Sequence, residues 1–419
     1  MIFKVKREEF LKGIKTVEKA IFDNKIKPII SCAYMEARER ELLFCGTNLE
    51  MTIITTIPCD DVIAEGKIVF QHDIVQEYVN ELKDDKITVS ISEDNLLIEG
   101  EDSSSEFTLM NPDDYPKIPI DSEFDSKEEN FVIDSKILVD LFEKIKFAAS
   151  TSNEKLSMNC VRMESEGNNI RFIATDAYRL AYLEYKMPKV NKDVKVSIPL
   201  VAVDAVVKIL NTNENKNVKF YTEEGKVFFK SDDTLTISRV IDLEFHNYGV
   251  VLNNNQYDKK LIIGGDEFNK ILKRVMIFSR NNAEAKYGGI FEINNLELVI
   301  EGENDVAQVR ETAEVNYVGD DIKIGLNVKF ILDFTQNLTK NDEICVELMN
   351  PNSFVRFSIS ENSKQEKTVE DNNSEDKEIE TNIEEKSDAE EVVEKIENDA
   401  KNSYIEKYTY IVMPYAYKK

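Results

Sequence analysis

Apolar side chains recur at helical spacing along this chain. Phe10, Ile14, Val17 and Ile21 form one such set; Ile137, Leu138, Leu141, Phe142 and Ile145 form a second; Phe268, Ile271, Leu272 and Val275 form a third. The period places each set on one face of an amphipathic helix. It predicts helices over 7–20, 135–147 and 265–278. Further helices are predicted over 70–83, 199–211 and 326–339. Met51-Thr52-Ile53-Ile54-Thr55-Thr56 alternates as a half-buried strand does. Two strands are expected after each leading helix: 29–37 and 41–56, 157–165 and 170–184, 290–293 and 297–315. More strands follow each second helix, at 86–91 with 95–100, 218–222 with 227–230, and 343–348 with 353–358. Turn signals such as Glu223-Glu224-Gly225 separate them.

The order helix, strands, helix, strands therefore occurs three times, and its landmarks share an interval of 128 residues. Gly46-Thr47-Asn48, Ala174-Thr175-Asp176 and Gly302-Glu303-Asn304 are in phase. Lys27, Cys32, Met35 and Glu36 align with Lys155, Cys160, Met163 and Glu164, and Glu292 follows Glu164; Leu82, Leu210 and Leu338 also align. A fixed period means tandem copies of one domain. The expected fold is α+β, with copies at 1–122, 128–252 and 256–419. Each copy is itself a pair of similar halves, which makes six in the chain. Two chains would carry twelve halves, enough to close a ring with twofold symmetry.

Charge changes this picture in two places. The chain of 419 residues has a formal net charge of −27, which argues against a generally adhesive nucleic-acid binder. Residues 361–401 hold 16 acids against 6 lysines and no aromatic residue. They read as a disordered insertion at about 361–403, with a short helix over 387–398 capped by Ser387. Strand character resumes at Tyr404, so the insertion lies inside the third copy. The six helical segments carry 13 bases and 12 acids, a net of +1. Two readings stay open: a helix-lined surface that tolerates a polyanion, or amphipathic charge pairing on solvated faces.

Catalytic chemistry finds little support. The two histidines, His72 and His246, are far apart, and no P-loop, HExxH, GxSxG or dinucleotide fingerprint occurs. No metal or cofactor is expected. The pairs Asp60-Asp61, Asp84-Asp85 and Asp320-Asp321 read as solvated turns. Cys32, Cys45, Cys59, Cys160 and Cys345 have no CxxC spacing and read as buried reduced thiols of a cytosolic protein. No apolar run reaches transmembrane length, and residues 1–6 contain no secretory segment. Gly264-Gly265-Asp266-Glu267-Phe268 spells the diguanylate cyclase signature. It runs into a helical pattern where the repeat demands a helix start, so Asp266 reads as a cap or first-turn acid.

Three motifs carry a resemblance to a known family. Ala174-Thr175-Asp176-Ala177-Tyr178-Arg179-Leu180-Ala181 resembles its ATDGHRLA segment, Tyr410-Ile411-Val412-Met413-Pro414-Tyr415 its YVVMPM ending, and Gly46-Thr47-Asn48-Leu49-Glu50 its GTDLE segment. The chain thus resembles the bacterial sliding clamp, the beta subunit of DNA polymerase III. The resemblance implies a non-catalytic, cytoplasmic and nucleoid-associated processivity factor. Two chains would join head to tail in a ring around double-stranded DNA, with helices lining the hole and sheets outside. Phosphate contacts would be weak and independent of sequence. Implied partners are the DNA polymerase III catalytic subunit, the clamp loader and other clamp-motif proteins, with no membrane.

The resemblance also assigns residues. A peptide pocket between the second and third copies would use Met158, Thr175, Ala177, Tyr178, Arg179, Leu180, His246, Val250, Val251, Ile411, Val412, Met413, Pro414 and Tyr415. Apolar, flexible side chains suit several peptides, and Pro414 should end the strand and free 415–417 to line a surface. Ala177, Tyr178 and His246 depart from the family's Gly, His and Pro, and Lys418 and Lys419 extend the tail. If the Gly position needs a positive φ, Ala177 costs about 1 kcal/mol. Lys25, Lys27, Lys155, Arg280 and Lys286, on equivalent loops, would contact DNA. The dimer contact maps to Ile277 and Phe278 facing Phe107 and Leu109, where 107–109 would be an edge strand that a partner chain pairs. A diverged paralogue serving as a protein scaffold remains the alternative, with the insertion as a spacer or as a guard that repels DNA.

Overall fold

The structure is a computed structural model describing residues 1–119, 127–152, 154–212, 217–254, 256–282, 285–294, 296–360 and 405–416. The expected insertion at 361–403, the helix over 387–398, and the tail residues Tyr417, Lys418 and Lys419 lie outside the described residues.

Seven α-helices occur among the described residues: α1 Arg7–Val17, α2 His72–Glu81, α3 Ser135–Lys146, α4 Leu200–Thr212, α5 Gly249–Leu252, α6 Gly265–Ser279 and α7 Val328–Thr335. Six match the periodic pattern. The first is shorter than expected because its end tightens into a 3-10 turn, Glu18–Ala20. The one-turn helix α5 is too short to leave a periodic signal. Glu8 and Glu9 sit in the first turn of α1 and Asp266 and Glu267 in that of α6, where acids complement the exposed amides. In the first two copies the leading helix lays a Phe against the equivalent strand Phe, from positions one helical turn apart. Phe10 meets Phe44 edge-on at 5.6 Å, and Phe142 meets Phe172 edge-on at 5.9 Å.

Three expected long strands are each broken in two. They become Glu41–Thr47 and Met51–Pro58, Asn169–Thr175 and Arg179–Lys186, and Glu297–Glu303 and Gln308–Glu314. The break is the same side-chain device in every copy. Asn48 Oδ1 accepts from the amides of Glu50 (3.0 Å) and Met51 (2.7 Å). Asp176 Oδ1 accepts from those of Tyr178 (2.9 Å) and Arg179 (3.0 Å). Asn304 Oδ1 accepts from those of Val306 (3.0 Å) and Ala307 (3.0 Å). A short polar side chain that satisfies two successive amides reverses the chain at once. The residues marking the repeat are thus the turn-makers.

The chain divides into two compact units, residues 1–139 with 189–242 and residues 140–188 with 243–419. They do not coincide with the copies, because a hydrogen-bonded ladder crosses each copy boundary. In the first unit Thr234–Arg239 of the second copy pairs antiparallel with Met51–Pro58 of the first, and Thr52 faces Ile237. The second unit's main sheet runs Cys160–Glu166, Asn169–Thr175, Arg179–Lys186, Ile405–Val412, Val355–Ile359, Glu343–Leu348, Lys259–Gly264 and Asn316–Val318. Here Ile405–Val412 of the third copy pairs with Arg179–Lys186 of the second, and Leu180 faces Ile411. The second unit also holds a sheet ordered Gln308–Glu314, Glu297–Glu303, Gly288–Ile293, Ile322–Asn327.

The expectation of an edge strand at Phe107, Thr108 and Leu109 needs correction. Ser104–Met110 lies between Asn95–Glu99 and Gly66–Phe70 in the sheet, with Leu109 facing Phe70. Only two residues pair on the second side, so the ladder there covers Leu109 and Met110 and stops short of Phe107.

Candidate partner-binding site

The site begins at the turn of the second copy. Thr175 Oγ accepts from the Ala177 amide at 3.2 Å and donates to the Arg179 carbonyl at 2.7 Å. Together with Asp176 it holds Ala177 at φ 79°, the left-handed region anticipated for this position. The turn lifts Tyr178 outward, leaving it 60% exposed. The strand that follows carries Leu180 inward beside Ile411, and past the end of that ladder the Met413 amide donates to the Tyr178 carbonyl at 2.8 Å. Met413 stays exposed.

A second wall comes from 245–252. Tyr248 Oη donates to Glu164 Oε2 at 2.8 Å, and burial first, then this bond, push its pKa up to about 12. It stays neutral and a donor at ordinary pH. Tyr248 precedes α5, which buries Leu252 and leaves Val250 exposed. Ile173, Leu180, Tyr182, Leu252 and Ile411 pack as one buried cluster, with Phe245, Tyr248, Val251 and Phe354 partly buried around it. Arg356 ties α5 down: its Nη2 donates to the Leu252 carbonyl at 3.0 Å and to that of Asn254, and its guanidinium lies 4.4 Å from the Tyr257 ring centre.

Several assigned residues serve other ends. Arg179 donates to Asp176 at 3.0 Å and to Asp333 at 2.7 Å, and lies 4.3 Å from the Phe330 ring centre. Burial opposes its charge, but Tyr410, Asp333 and Asp176 outweigh that and raise its pKa. It positions the turn and is not free for a ligand. Met158 is buried at the end of the 3-10 turn Leu156–Met158, outside the apolar cluster. Tyr415 is not freed by Pro414: its amide donates to Gly325 at 3.0 Å and its hydroxyl to Gly289 at 3.4 Å, folding it back onto the third copy. His246 is exposed and Pro414 partly so. Leu252, Phe354, Phe245 and Tyr248 were missed. Phe354 falls at the start of a predicted strand, where a large apolar residue was a usable signal.

The other candidates stand on separate segments. Lys25 and Lys27 are exposed on a turn whose amides at Ile26 and Lys27 donate to Asn24 Oδ1 at 3.0 and 2.9 Å. Lys155 lies against the pocket turn, donating to the Asp176 carbonyl at 3.3 Å with its ammonium 5.1 Å from the Tyr178 ring centre. Arg280 and Lys286 are exposed. Ile277 is 66% exposed near the end of α6, while Phe107 packs on Tyr78 at 5.6 Å. Asp266 pairs with Lys270 at 2.6 Å within α6. The Gly264–Phe268 motif is therefore a helix start and not the hairpin a cyclase requires.

Tandem copies of one α+β domain are joined by sheet ladders, with a buried apolar cluster where Ile405–Val412 joins the middle copy, and this defines a class of multi-copy clamp-like folds. Models of the DNA polymerase III beta subunit match the chain in three places: the N-terminal domain at 1–119, the central domain at 132–247 and the C-terminal domain at 252–373. The chain belongs to this family, the DNA sliding clamps that bind DNA and polymerase in replication without catalysing a reaction. It is 26% identical over 362 residues to the beta sliding clamp of Staphylococcus aureus, covering 83% of this chain and 92% of that one. It is 25% identical over 370 residues to that of Buchnera aphidicola, covering 87% and 97%. The DNA polymerase III beta subunit of Thermotoga maritima superposes with a TM-score of 0.80 at 22% identity, covering 100% of both chains. The sliding clamp of Bacillus subtilis does so at 0.80 and 18%, again over 100% of both. Among the described residues no helix is long and apolar enough to cross a membrane.

Proposed function

We propose that the recess around Leu180, Leu252 and Ile411 receives short linear motifs from the DNA polymerase III catalytic subunit, the clamp loader and other clamp-motif proteins. One observation carries the reading: Tyr178, Val250 and Met413, from three separate segments, leave exposed apolar side chains around a buried apolar cluster. Exposed large apolar residues gathered at one place mark a docking surface. Thr175, Ala177 and Arg179 shape the turn, while His246, Val251, Val412 and Pro414 flank the recess. Met158 and Tyr415 support its surroundings.

Two chains would close head to tail, Ile277 and Phe278 of one meeting the Phe107 side of the other, where the strand edge before Leu109 is available for pairing. Lys25, Lys27, Lys155, Arg280 and Lys286 would make weak phosphate contacts with the encircled duplex. The copies would act as domains at 1–122, 128–252 and 256–419, in a cytoplasmic protein associated with the nucleoid.

The test is binding of a fluorescent QLxLF-type pentapeptide to the intact protein, to Met413→Ala and to a chain truncated after Val412. Micromolar binding that weakens in the first variant and vanishes in the second supports the reading. No binding by the intact protein sinks it and favours a diverged scaffold.

A further inference from the structure

The repeat relation places a second junction beside the first copy. Thr52 faces Ile237 there as Leu180 faces Ile411 in the other unit, and Thr52 and Leu180 are one repeat interval apart. Cys45 and Ile54 stand where Ile173 and Tyr182 stand, and both pairs belong to buried apolar clusters. Tyr115 lies at the first junction as Tyr248 does at the second. Its ring packs 5.4 Å from that of Tyr34, and its hydroxyl donates to the Cys45 carbonyl at 3.2 Å.

An open groove of about 880 Å³ runs along this junction, wholly inside the first unit. Tyr34, Leu43, Tyr115 and Ile118 give it an apolar floor. Its rim is acidic, with five carboxylates against three basic side chains. Arg38 is already bound to Glu36 at 2.6 Å and Lys67 to Asp113 at 2.5 Å. Asp233 meets Lys12 at 3.3 Å, which leaves Glu41 and Asp232 exposed on the rim against one further exposed base, Lys117. An apolar floor under a net-acidic rim complements a cationic ligand with apolar side chains.

We propose that this groove is a second docking site, one that takes a short basic peptide bearing leucine or tyrosine side chains. The leucine and tyrosine would rest on Leu43, Tyr115 and Ile118, and the lysines would face Glu41 and Asp232. The proposal stands on the groove's own floor and charge, and goes beyond the recess between the second and third copies.

The probe is fluorescein-labelled Lys-Leu-Lys-Tyr-Lys-Leu-Lys, titrated by anisotropy against the full chain. The site variant is Glu41→Lys with Asp232→Lys. A control variant of equal charge change, Glu267→Lys with Asp305→Lys, lies in the other unit. At least tenfold weaker binding in the site variant and an unchanged value in the control is the expected result. Equal affinities in the two variants overturn the proposal. So does equal binding of a peptide with alanine in place of leucine and tyrosine, which would report general attraction to an acidic chain. The QLxLF-type peptide, titrated into the same samples, separates the two readings. Its failure on the intact protein rejects the recess alone, and displacement of the basic probe by it rejects a separate groove.

Discussion

The backbone amide of Met413 donates to the carbonyl of Tyr178 at 2.8 Å. These residues come from the two motifs most characteristic of this chain, and the bond sits just past the ladder in which Arg179 faces Val412. A turn and a strand end therefore meet at two residues whose side chains are both exposed.

Ala177 is held at φ 79°, where its Cβ crowds the backbone. Ala177→Gly should raise stability by about 0.5–1 kcal/mol, the relief of strain being partly offset by the greater freedom of glycine in the unfolded chain. Urea midpoints measure this. A lower midpoint for the variant would mean that the turn is not strained.

The three turns should not be equally sensitive. Asn304→Ala deprives two amides of their acceptor and the Phe278 carbonyl of a neutral donor at 3.0 Å, and should cost about 1–2 kcal/mol. Asp176→Ala removes the same two bonds and also the Arg179 contact at 3.0 Å, so about 3 kcal/mol is expected. Equal losses in chemical denaturation would show that Asp333 alone holds Arg179.

Arg356 faces Ile411 across the ladder of Val355–Ile359 with Ile405–Val412, and its side chain holds the last carbonyl of α5 at 3.0 Å. Arg356→Met should keep the fold but loosen Val250 and Val251, weakening QLxLF-type peptide binding by about tenfold, or about 1.4 kcal/mol. Unchanged affinity with unchanged thermal stability would leave Arg356 without a positioning role.

Part of the acid sensitivity should lie at Glu36. Arg38, donating at 2.6 Å, holds its carboxyl below the usual carboxylate range, helped by the Tyr34 hydroxyl at 3.0 Å and opposed by burial. The unfolded chain takes up its proton near pH about 4.3. The folding contribution of this group is complete above that value and is lost as pH falls through the lower folded value. Between pH about 6 and about 3, urea midpoints should fall more steeply for the natural chain than for Glu36→Gln. Parallel slopes would assign acid sensitivity to other groups.

The sequence by itself determined the three copies and six of the helices, and it marked Asn48, Asp176 and Asn304 as landmarks of the repeat, though not as the breaks in the strands they prove to be. These are local matters: apolar period sets a helix face, and Asn48, Asp176 and Asn304 reverse the chain with bonds to amides two and three residues on. Tertiary structure decided what those elements meet. Nothing in the local pattern of Thr234–Arg239 says that it pairs with Met51–Pro58, and nothing around Tyr415 says that its amide reaches Gly325. The resemblance assigned Met158 and Arg179 to the pocket, yet burial confines one and two carboxylates occupy the other. Leu252 and Phe354 join the recess because hydrophobic burial acts between segments about a hundred residues apart, without any signature in the spacing of either.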